Sequence, residues 1–484
     1  MQEIDIASIK EKAVKGIIAL TGRTFLIQCI AFGATFLLTV FLSPAVFGIF
    51  YIVSACISFL SYFSDIGLAA ALIQKKETLT ESDLRTTFTI QQTLVLILCL
   101  IMFVLSPSLG SLYQLDQTGI WLLRSLIVSF FLSSLKTIPS VLLERKLDFN
   151  KLVIPQIAET VGFYGLAVIL AYAGFGVTSF TYAVLFRACI GLIVIYQIAP
   201  WKIGLEISIP VAKKLLKFGI PFQMNSLLAL VKDDALTLVL GYLLSLEEIG
   251  YIGWAKKWAE IPLRLIMDNV IRVTFPTFSR LQHDLKHLGA SVEKTLFGLS
   301  ITIVPLSIAL LFFIEPLISI IPKYQKWQPA VLPFYLFVFS SLIASYSTPL
   351  TNALNAVGKI FITLLLMIFW TLLTWLLILI LLPSIGFLCV PVTQVILASS
   401  LVLVVFLVKR ICSFSFLQSV WVSLVGGIIQ AVVYSIGLHS IKSPTIPYLI
   451  IMGITGGILY MSTVWMFEKK RILSVWSLFR QKSL

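Results

Sequence analysis

Long apolar blocks separated by short polar turns run from about residue 16 to residue 467. A helix needs about 20 predominantly apolar residues to cross a bilayer. Blocks of that order fall at 16–41, 45–73, 84–106, 118–142, 152–173, 178–199, 218–244, 247–272, 293–314, 329–354, 359–382, 387–408, 419–439 and 446–467. They predict fourteen transmembrane helices with both chain ends on the same side. Membrane β-strands would alternate apolar and polar residues over about 10 positions, and these blocks do not. The turns are too short to form a soluble domain. Residues 1–15 read as an amphipathic helix with Ile6, Ile9 and Ala13 on one side. No small-residue cleavage site follows, so the first block is expected to be a retained span rather than a removed signal peptide.

One pair of blocks breaks the pattern. Between 218 and 272 the chain carries Lys232, Asp233 and Asp234 in one block and Lys256, Lys257, Glu260, Arg264 and Asp268 in the next. A charge at the centre of a membrane helix costs about 2.5–3.5 kcal/mol on the insertion scale. Several on one helix require water, protein or a ligand on that face.

Composition agrees with the periodicity. Of 484 residues 59% are hydrophobic and 12% charged, with a mean hydropathy of +1.01; soluble domains are nearer 45–50% apolar and 25% charged. The fold class is all-α and polytopic. The net charge of +14 reports topology and does not point to nucleic acid. With the N-terminus inside, twenty-five Lys/Arg fall in inside segments and eight within spans. Only Lys323, Lys326 and Lys442 fall outside, an asymmetry of the positive-inside kind. It requires the charged 247–272 block to cross, because otherwise every later loop would invert. Six scattered cysteines form no CxxC pair and read as small core residues. His283 and His287 lack a carboxylate–histidine signature, and no Walker loop is present. We expect no metal, no cofactor and no enzymatic chemistry.

The chain repeats itself. Leu42-Ser43-Pro44-Ala45-Val46-Phe47-Gly48 follows the first block and Leu244-Ser245-Leu246-Glu247-Glu248-Ile249-Gly250 the seventh, each Ser placed to N-cap the next helix. Leu135–Leu143 matches Ala344–Ala353, aligning Pro139 with Pro349. A six-span unit gives a parallel repeat about an axis along the membrane normal. The expected organisation is two pseudo-symmetric six-helix lobes, 1–205 and 206–410, followed by an extra helix pair and basic cytoplasmic tail, 411–484.

Polar positions within the blocks fall on faces. Ser54, Ser58, Ser61 and Asp65 step by four, three and four, so they share a helical face; they line a cavity or, for the serines, bond back to their own helix. Arg23 lies beside Thr21, Thr24 and Gln28 and faces a cavity or snorkels to the interface. Gln223, Asn225, Ser226, Lys232, Asp233 and Asp234 share the seventh block. Lys257, Glu260, Arg264 and Asp268 form one stripe in the eighth, where Lys256 is also spaced to pair with Glu260. The stripe is either a self-neutralising seam between helices or a cationic wall suited to phosphate oxygens. Asp65, Asp233, Asp234, Glu260 and Asp268 would be counter-ions or proton carriers. Trp201, Trp327 and Trp421 read as interfacial anchors.

Four stretches then carry a resemblance: Phe63-Ser64-Asp65-Ile66-Gly67-Leu68 with Ala71-Leu72-Ile73-Gln74; Leu79-Thr80-Glu81-Ser82-Asp83-Leu84; Leu142-Leu143-Glu144-Arg145-Lys146-Leu147-Asp148-Phe149; and Pro262-Leu263-Arg264 with Phe275-Pro276-Thr277-Phe278-Ser279-Arg280-Leu281. With them the chain resembles the polysaccharide transporter family of the multidrug/oligosaccharidyl-lipid/polysaccharide exporter superfamily, which contains the oligosaccharide-lipid flippases. The resemblance implies two bundles that rock between inward-open and outward-open states in the cell (inner, cytoplasmic) membrane. It implies that a polyprenyl-diphosphate-linked glycan is moved from the inner to the outer leaflet, with a polysaccharide polymerase and glycosyltransferases as partners. Cavity arginines of such flippases correspond here to Arg23 and Arg264; Lys232, Lys256 and Lys257 are added from charge and position. A cation-coupled drug exporter of the same superfamily and a non-transporting scaffold for polysaccharide assembly are the alternatives.

Overall fold

A computed structural model describes residues 26–75, 77–224, 227–441 and 444–480. Among them the chain is helical, with no strand. In chain order the helices are α1 (Leu26–Phe41), α2 (Pro44–Asp65), α3 (Leu68–Gln74), α4 (Glu81–Leu112), α5 (Gln117–Ser134), α6 (Thr137–Arg145), α7 (Phe149–Tyr172), α8 (Thr178–Ile198), α9 (Ile209–Met224) and α10 (Leu227–Leu243). They continue as α11 (Leu246–Ala259), α12 (Ile261–Arg280), α13 (Leu285–Ile320), α14 (Val331–Ala356), α15 (Ile360–Ile385), α16 (Cys389–Ser399), α17 (Leu401–Lys409), α18 (Phe416–Ser440) and α19 (Ile446–Arg480). Among the described residues nine helical segments are long and apolar enough to cross a membrane; α5 and α6, bent by 41°, together make a tenth. One of the nine, Ile360–Lys409, runs through two of the blocks expected from the sequence. The protein is a multi-pass membrane protein.

The charged hairpin is not among those segments. Its second block is broken into α11 and α12, and in its first block α9 and α10 flank residues 225–226, which lie outside the described residues. The break has a visible cause: Pro262 lacks the N–H that would bond the carbonyl four residues back, and its ring clashes with the preceding turn. The helix therefore stops at Ala259, and Glu260 (φ −85°, ψ −3°) links it to α12.

The chain forms two compact units, Met1–Gly250 and Tyr251–Leu484. In the first, α7 and α8 pair as a hairpin, α5 packs on α8 and α4, and α2 packs on α5 and α10. Phe50 stacks on Phe180 at 4.3 Å, joining α2 to α8. A cluster of Leu68, Leu72, Leu84, Phe88, Ile138, Trp201 and Leu215 closes one end. In the second unit α13 packs on α18, and α14 on α12, α13, α16 and α17. Its core is built around Phe278, Leu288, Tyr346, Leu350 and Val404.

Two of the three tryptophans expected at the lipid interface are core residues. Trp327 is 0% exposed and stacks on Trp254 with ring centroids 5.2 Å apart. Trp201 is buried edge-on against Phe88. Trp421, 38% exposed, is the one at the surface. Aromatic rings serve either place, and position near a block's end does not discriminate between them.

Three of the four motif stretches meet at one corner of the first unit. Thr80 and Asp83 form a reciprocal capping box at the start of α4: Thr80 Oγ1 accepts from the Asp83 N–H, and Asp83 Oδ2 accepts from the Thr80 N–H at 2.8 Å. Asp83 Oδ2 also binds Lys75 Nζ at 2.6 Å. Arg145 reaches across to donate to the carbonyls of Leu72, Lys75 and Glu77, satisfying acceptors that the end of α3 leaves open. Lys214 binds Glu77 at 2.8 Å and holds its carboxyl below the usual range. Thr80→Ala should lower unfolding stability by about 1 kcal/mol, read as a shift in thermal midpoint of the purified chain; no shift would mean that Asp83 and Lys75 hold this corner without the cap.

Candidate functional site

The repeat motifs pack against each other. At the start of α2, the position a Cβ on Gly48 would take lies 1.8 Å from the Leu246 carbonyl oxygen; at the start of α11, that of Gly250 lies 2.0 Å from the Pro44 carbonyl oxygen. Each glycine thus lets in the backbone that opens the other motif's helix. Ser245 caps α11 as expected, its hydroxyl accepting from the Glu248 N–H while its own N–H donates to Glu248 Oε2 at 2.8 Å. Ser43 sits at the N-cap of α2 but makes no side-chain capping bond. Pro44 removes one donor there, and Val46 stands where an acid would complete a box. Of the aligned prolines, Pro139 follows the α5–α6 break, whereas Pro349 lies inside the continuous α14.

Further along α2, Ser58 and Ser61 are exposed and the Ser61 hydroxyl bonds back to the Ser58 carbonyl at 2.7 Å. Asp65 ends α2. Ile66 (φ 48°) and Gly67 (φ 73°) turn the chain in left-handed conformations, and the Asp65 carboxylate accepts from the Ala69 N–H at 3.2 Å, tying the start of α3. Gly67 is needed twice over: its φ is one that L side chains rarely adopt, and a Cβ there would meet the Gly219 carbonyl oxygen at 2.3 Å. Tyr62 and Gln223 exchange hydrogen bonds, Tyr62 Oη to the Gln223 carbonyl at 2.6 Å and Gln223 Nε2 to the Tyr62 carbonyl at 2.7 Å. Gln223, one of the polar residues of the seventh block, thereby joins α9 to α2.

On α10, Lys232 and Asp234 are both half-buried. Arg23 and the side chains of Asp233 and Asp268 lie outside the described residues. In the second unit, Lys256 and Lys257 end α11, Glu260 is the break, and Arg264 begins α12. Arg264 Nη2 lies 2.8 Å from Glu260 Oε2, with the guanidinium side chain 61% exposed and the carboxylate side chain 19% exposed. The sequence spacing offered Glu260 to Lys256; the structure pairs it with Arg264, across Pro262. Lys257 lies close enough to Arg264 to feel its charge. The result is a stripe in which one carboxylate binds Arg264 across a break with Lys257 near that guanidinium, and the exposed guanidinium keeps donors for a ligand. Arg presents five N–H groups in a planar fork that matches phosphate oxygens.

A second charged group was missed in the sequence. Glu159, on α7, accepts from Lys136, which sits in the short link between α5 and α6, and its other oxygen lies 3.7 Å from Arg187 Nε on α8. Lys136 and Arg187 are two of the eight cations that fall within the expected spans. The rule that a charge inside a span needs a partner would have pointed to Glu159, the lone acid of the 152–173 block.

A family model described as polysaccharide biosynthesis protein matches residues 37–332. The chain is 24% identical over 319 residues to the succinoglycan biosynthesis transport protein ExoT of Rhizobium meliloti, covering 66% of this chain and 64% of that protein. It is 22% identical over 323 residues to the lipopolysaccharide biosynthesis protein WzxC of Escherichia coli, covering 65% and 64%. The match thus spans a little under two thirds of the length of these relatives. Among solved structures, the lipid II flippase MurJ in an inward closed conformation matches with a TM-score of 0.72 at 15% identity, over 93% of this chain and 100% of that one. At that identity the likeness is one of fold.

Proposed function

The chain belongs to the polysaccharide biosynthesis protein family, and on that premise we propose that it is a secondary-active flippase for a polyprenyl-diphosphate-linked oligosaccharide. Two lobes, 1–205 and 206–410, within fourteen spans alternate access around a cationic cavity and carry the glycan from the inner to the outer leaflet. The helix pair 411–484 is an addition to them. The protein sits in the cell (cytoplasmic) membrane with both termini inside, beside a polymerase and glycosyltransferases.

The observation that carries this reading is the Lys257–Glu260–Arg264 stripe, held at a helix break with an exposed guanidinium. A diphosphate and a sugar cannot enter hydrocarbon unaided, whereas the polyprenyl tail can stay in the bilayer. Fixed cations in a half-dry site attract the diphosphate more strongly than they would in water. Arg23, Lys232 and Lys256 belong to the same proposed wall. Asp65, Asp233, Asp234, Glu260 and Asp268 are its counter-ions or ion-coupling groups, and in the structure Asp65 also serves the start of α3. A fold shared with a lipid II flippase and relatives named for succinoglycan transport and lipopolysaccharide biosynthesis support the substrate class.

The test is translocation. Proteoliposomes loaded with an undecaprenyl-diphosphate-linked oligosaccharide should make the sugar accessible to an external lectin over time, faster than protein-free vesicles and faster under an ion gradient. Equal rates with and without protein would overturn the proposal. Efflux of a cationic dye without lipid translocation would favour a drug exporter.

A further inference from the structure

We propose that Lys136, Glu159 and Arg187 form a second phosphate station inside the first unit, where Glu159 holds the place of a phosphate group until a membrane-embedded phosphate ester displaces it. The inference rests on the flippase reading above and extends it to helices that reading does not use.

The charge balance comes first. Two cations share one carboxylate, which leaves one positive charge in excess. Arg187 lies near the middle of α8, with nine residues before it and eleven after. At 1.5 Å per residue that is roughly 14 Å from the nearer helix end. The phosphates of ordinary bilayer lipids sit beyond the hydrocarbon, so only an anion carried into the protein meets it there.

Geometry sets the roles. Glu159 holds Lys136 directly but stands 3.7 Å from Arg187 Nε, and among the described residues Arg187 makes no hydrogen bond. Its side chain is 56% exposed. Besides Arg187, the exposed residues of α8 are Tyr182, Phe186, Cys189, Ile193 and Gln197. Arg187 stands roughly 140° round the helix from Tyr182 and roughly 100° from Phe186 at 3.6 residues per turn, so it is turned away from the apolar ones among them. Its donors are thus open to a ligand. Gly191 leaves the space that Glu159 occupies, since a Cβ there would lie 2.1 Å from Glu159 Oε1.

The setting is mechanical as well as electrostatic. Lys136 stands in the link where α5 and α6 bend by 41°. The Leu135 carbonyl there takes the Tyr196 hydroxyl at 3.1 Å, and Ser134 and Thr137 bond to Gln92 and Gln91 of α4. An anion that took Arg187 and Lys136 from Glu159 would change what holds this bend. Phosphate suits the exchange because a guanidinium binds a carboxylate and a phosphate through the same fork.

Direct titration of the purified full-length protein with undecaprenyl diphosphate decides it. Glu159→Gln removes the competitor and should raise the affinity about tenfold, equivalent to about 1.4 kcal/mol. Adding Arg187→Gln should abolish that gain. Glu159→Asp, with its carboxylate drawn back by one methylene, should give a smaller gain and decides the matter alone if the Gln variant does not fold. Inorganic pyrophosphate should compete more strongly with the lipid in the Gln variant than in the wild type. An unchanged or lower affinity in both Glu159 variants, as a purely structural tie predicts, overturns the station. So does a gain seen only with phosphatidylglycerol nanodiscs, which would assign the site to a bilayer headgroup. Wild-type translocation combined with either result removes the station and leaves the flippase reading standing. Absent translocation with the expected binding gain does the reverse.

Discussion

Alanine at Gly48 should destabilise the folded chain by about 1–3 kcal/mol, the usual range for forcing extra volume into a packed contact. The new methyl group would meet the Leu246 carbonyl oxygen at 1.8 Å. Neither partner is a flexible side chain, so the start of α2 and the start of α11 must separate. Gly250→Ala presses on the same contact from the other side, at 2.0 Å from the Pro44 carbonyl. The double variant should therefore cost less than the sum of the two, because the first substitution has already opened the gap that the second needs. Gly165→Ala is the control: no atom lies within 4 Å of its added methyl, and alanine in a helix interior is favoured over glycine by about 0.5–1 kcal/mol. Thermal midpoints of the four proteins are the measurement. A Gly48→Ala midpoint no lower than that of Gly165→Ala would show that the two motifs do not bear on each other. In the proposed cycle the same substitution favours whichever state parts the two helix starts, by about tenfold for each 1.4 kcal/mol.

That contact shows what the sequence carried and what it lacked. The repeated Leu-Ser start and the glycine six residues after it were visible as a pattern. That the two glycines face each other's backbone was not, because similarity between two stretches says nothing of their distance. The apolar blocks foretold helices, since a bilayer leaves the backbone no other local way to satisfy its N–H and C=O groups. They did not foretell breaks. Pro262 was in plain view, but a kinked helix and a broken one share one hydropathy profile. The charged stripe was legible for the same reason as the helices: steps of three and four put Lys257, Glu260 and Arg264 on one face. Pairing within it was less so. Lys256 and Arg264 are both four residues from Glu260, and spacing alone does not say which of them takes it. Glu159 was hardest, with partners 23 and 28 residues away on other elements, where no helical spacing rule applies. Three of the four motifs behind the resemblance proved to be architecture: Arg145, Thr80 and Asp83, with Lys75 beside them, build one corner, and the family shown by the comparison with known sequences is the one they suggested.

Arg264→Ala should reduce lipid-linked oligosaccharide translocation by about 10- to 100-fold, since a hydrogen bond to a charged group contributes roughly 1.5–3 kcal/mol. Folding should be little affected. Arg264 is 61% exposed, and its bond to Glu260 is an i,i+4 pair on one chain segment; such exposed pairs contribute about 0.3–0.5 kcal/mol. Arg264→Lys separates charge from shape. If the site needs only a positive charge, lysine restores transport; if it grips two phosphate oxygens at once, lysine recovers a minor part, because a point charge cannot make the fork's paired bonds. Lys257→Ala should also slow translocation, and here the sign of a companion change is informative. Lys257 and Arg264 repel, so removing Lys257 relieves Arg264 of a like charge while taking one cation from the substrate. A net loss means that attraction for the diphosphate outweighs that relief, and Glu260→Gln should then raise substrate affinity by freeing the guanidinium. Should both cation substitutions leave translocation at the wild-type rate in well-folded protein, the stripe is a self-neutralising seam and the diphosphate is held elsewhere.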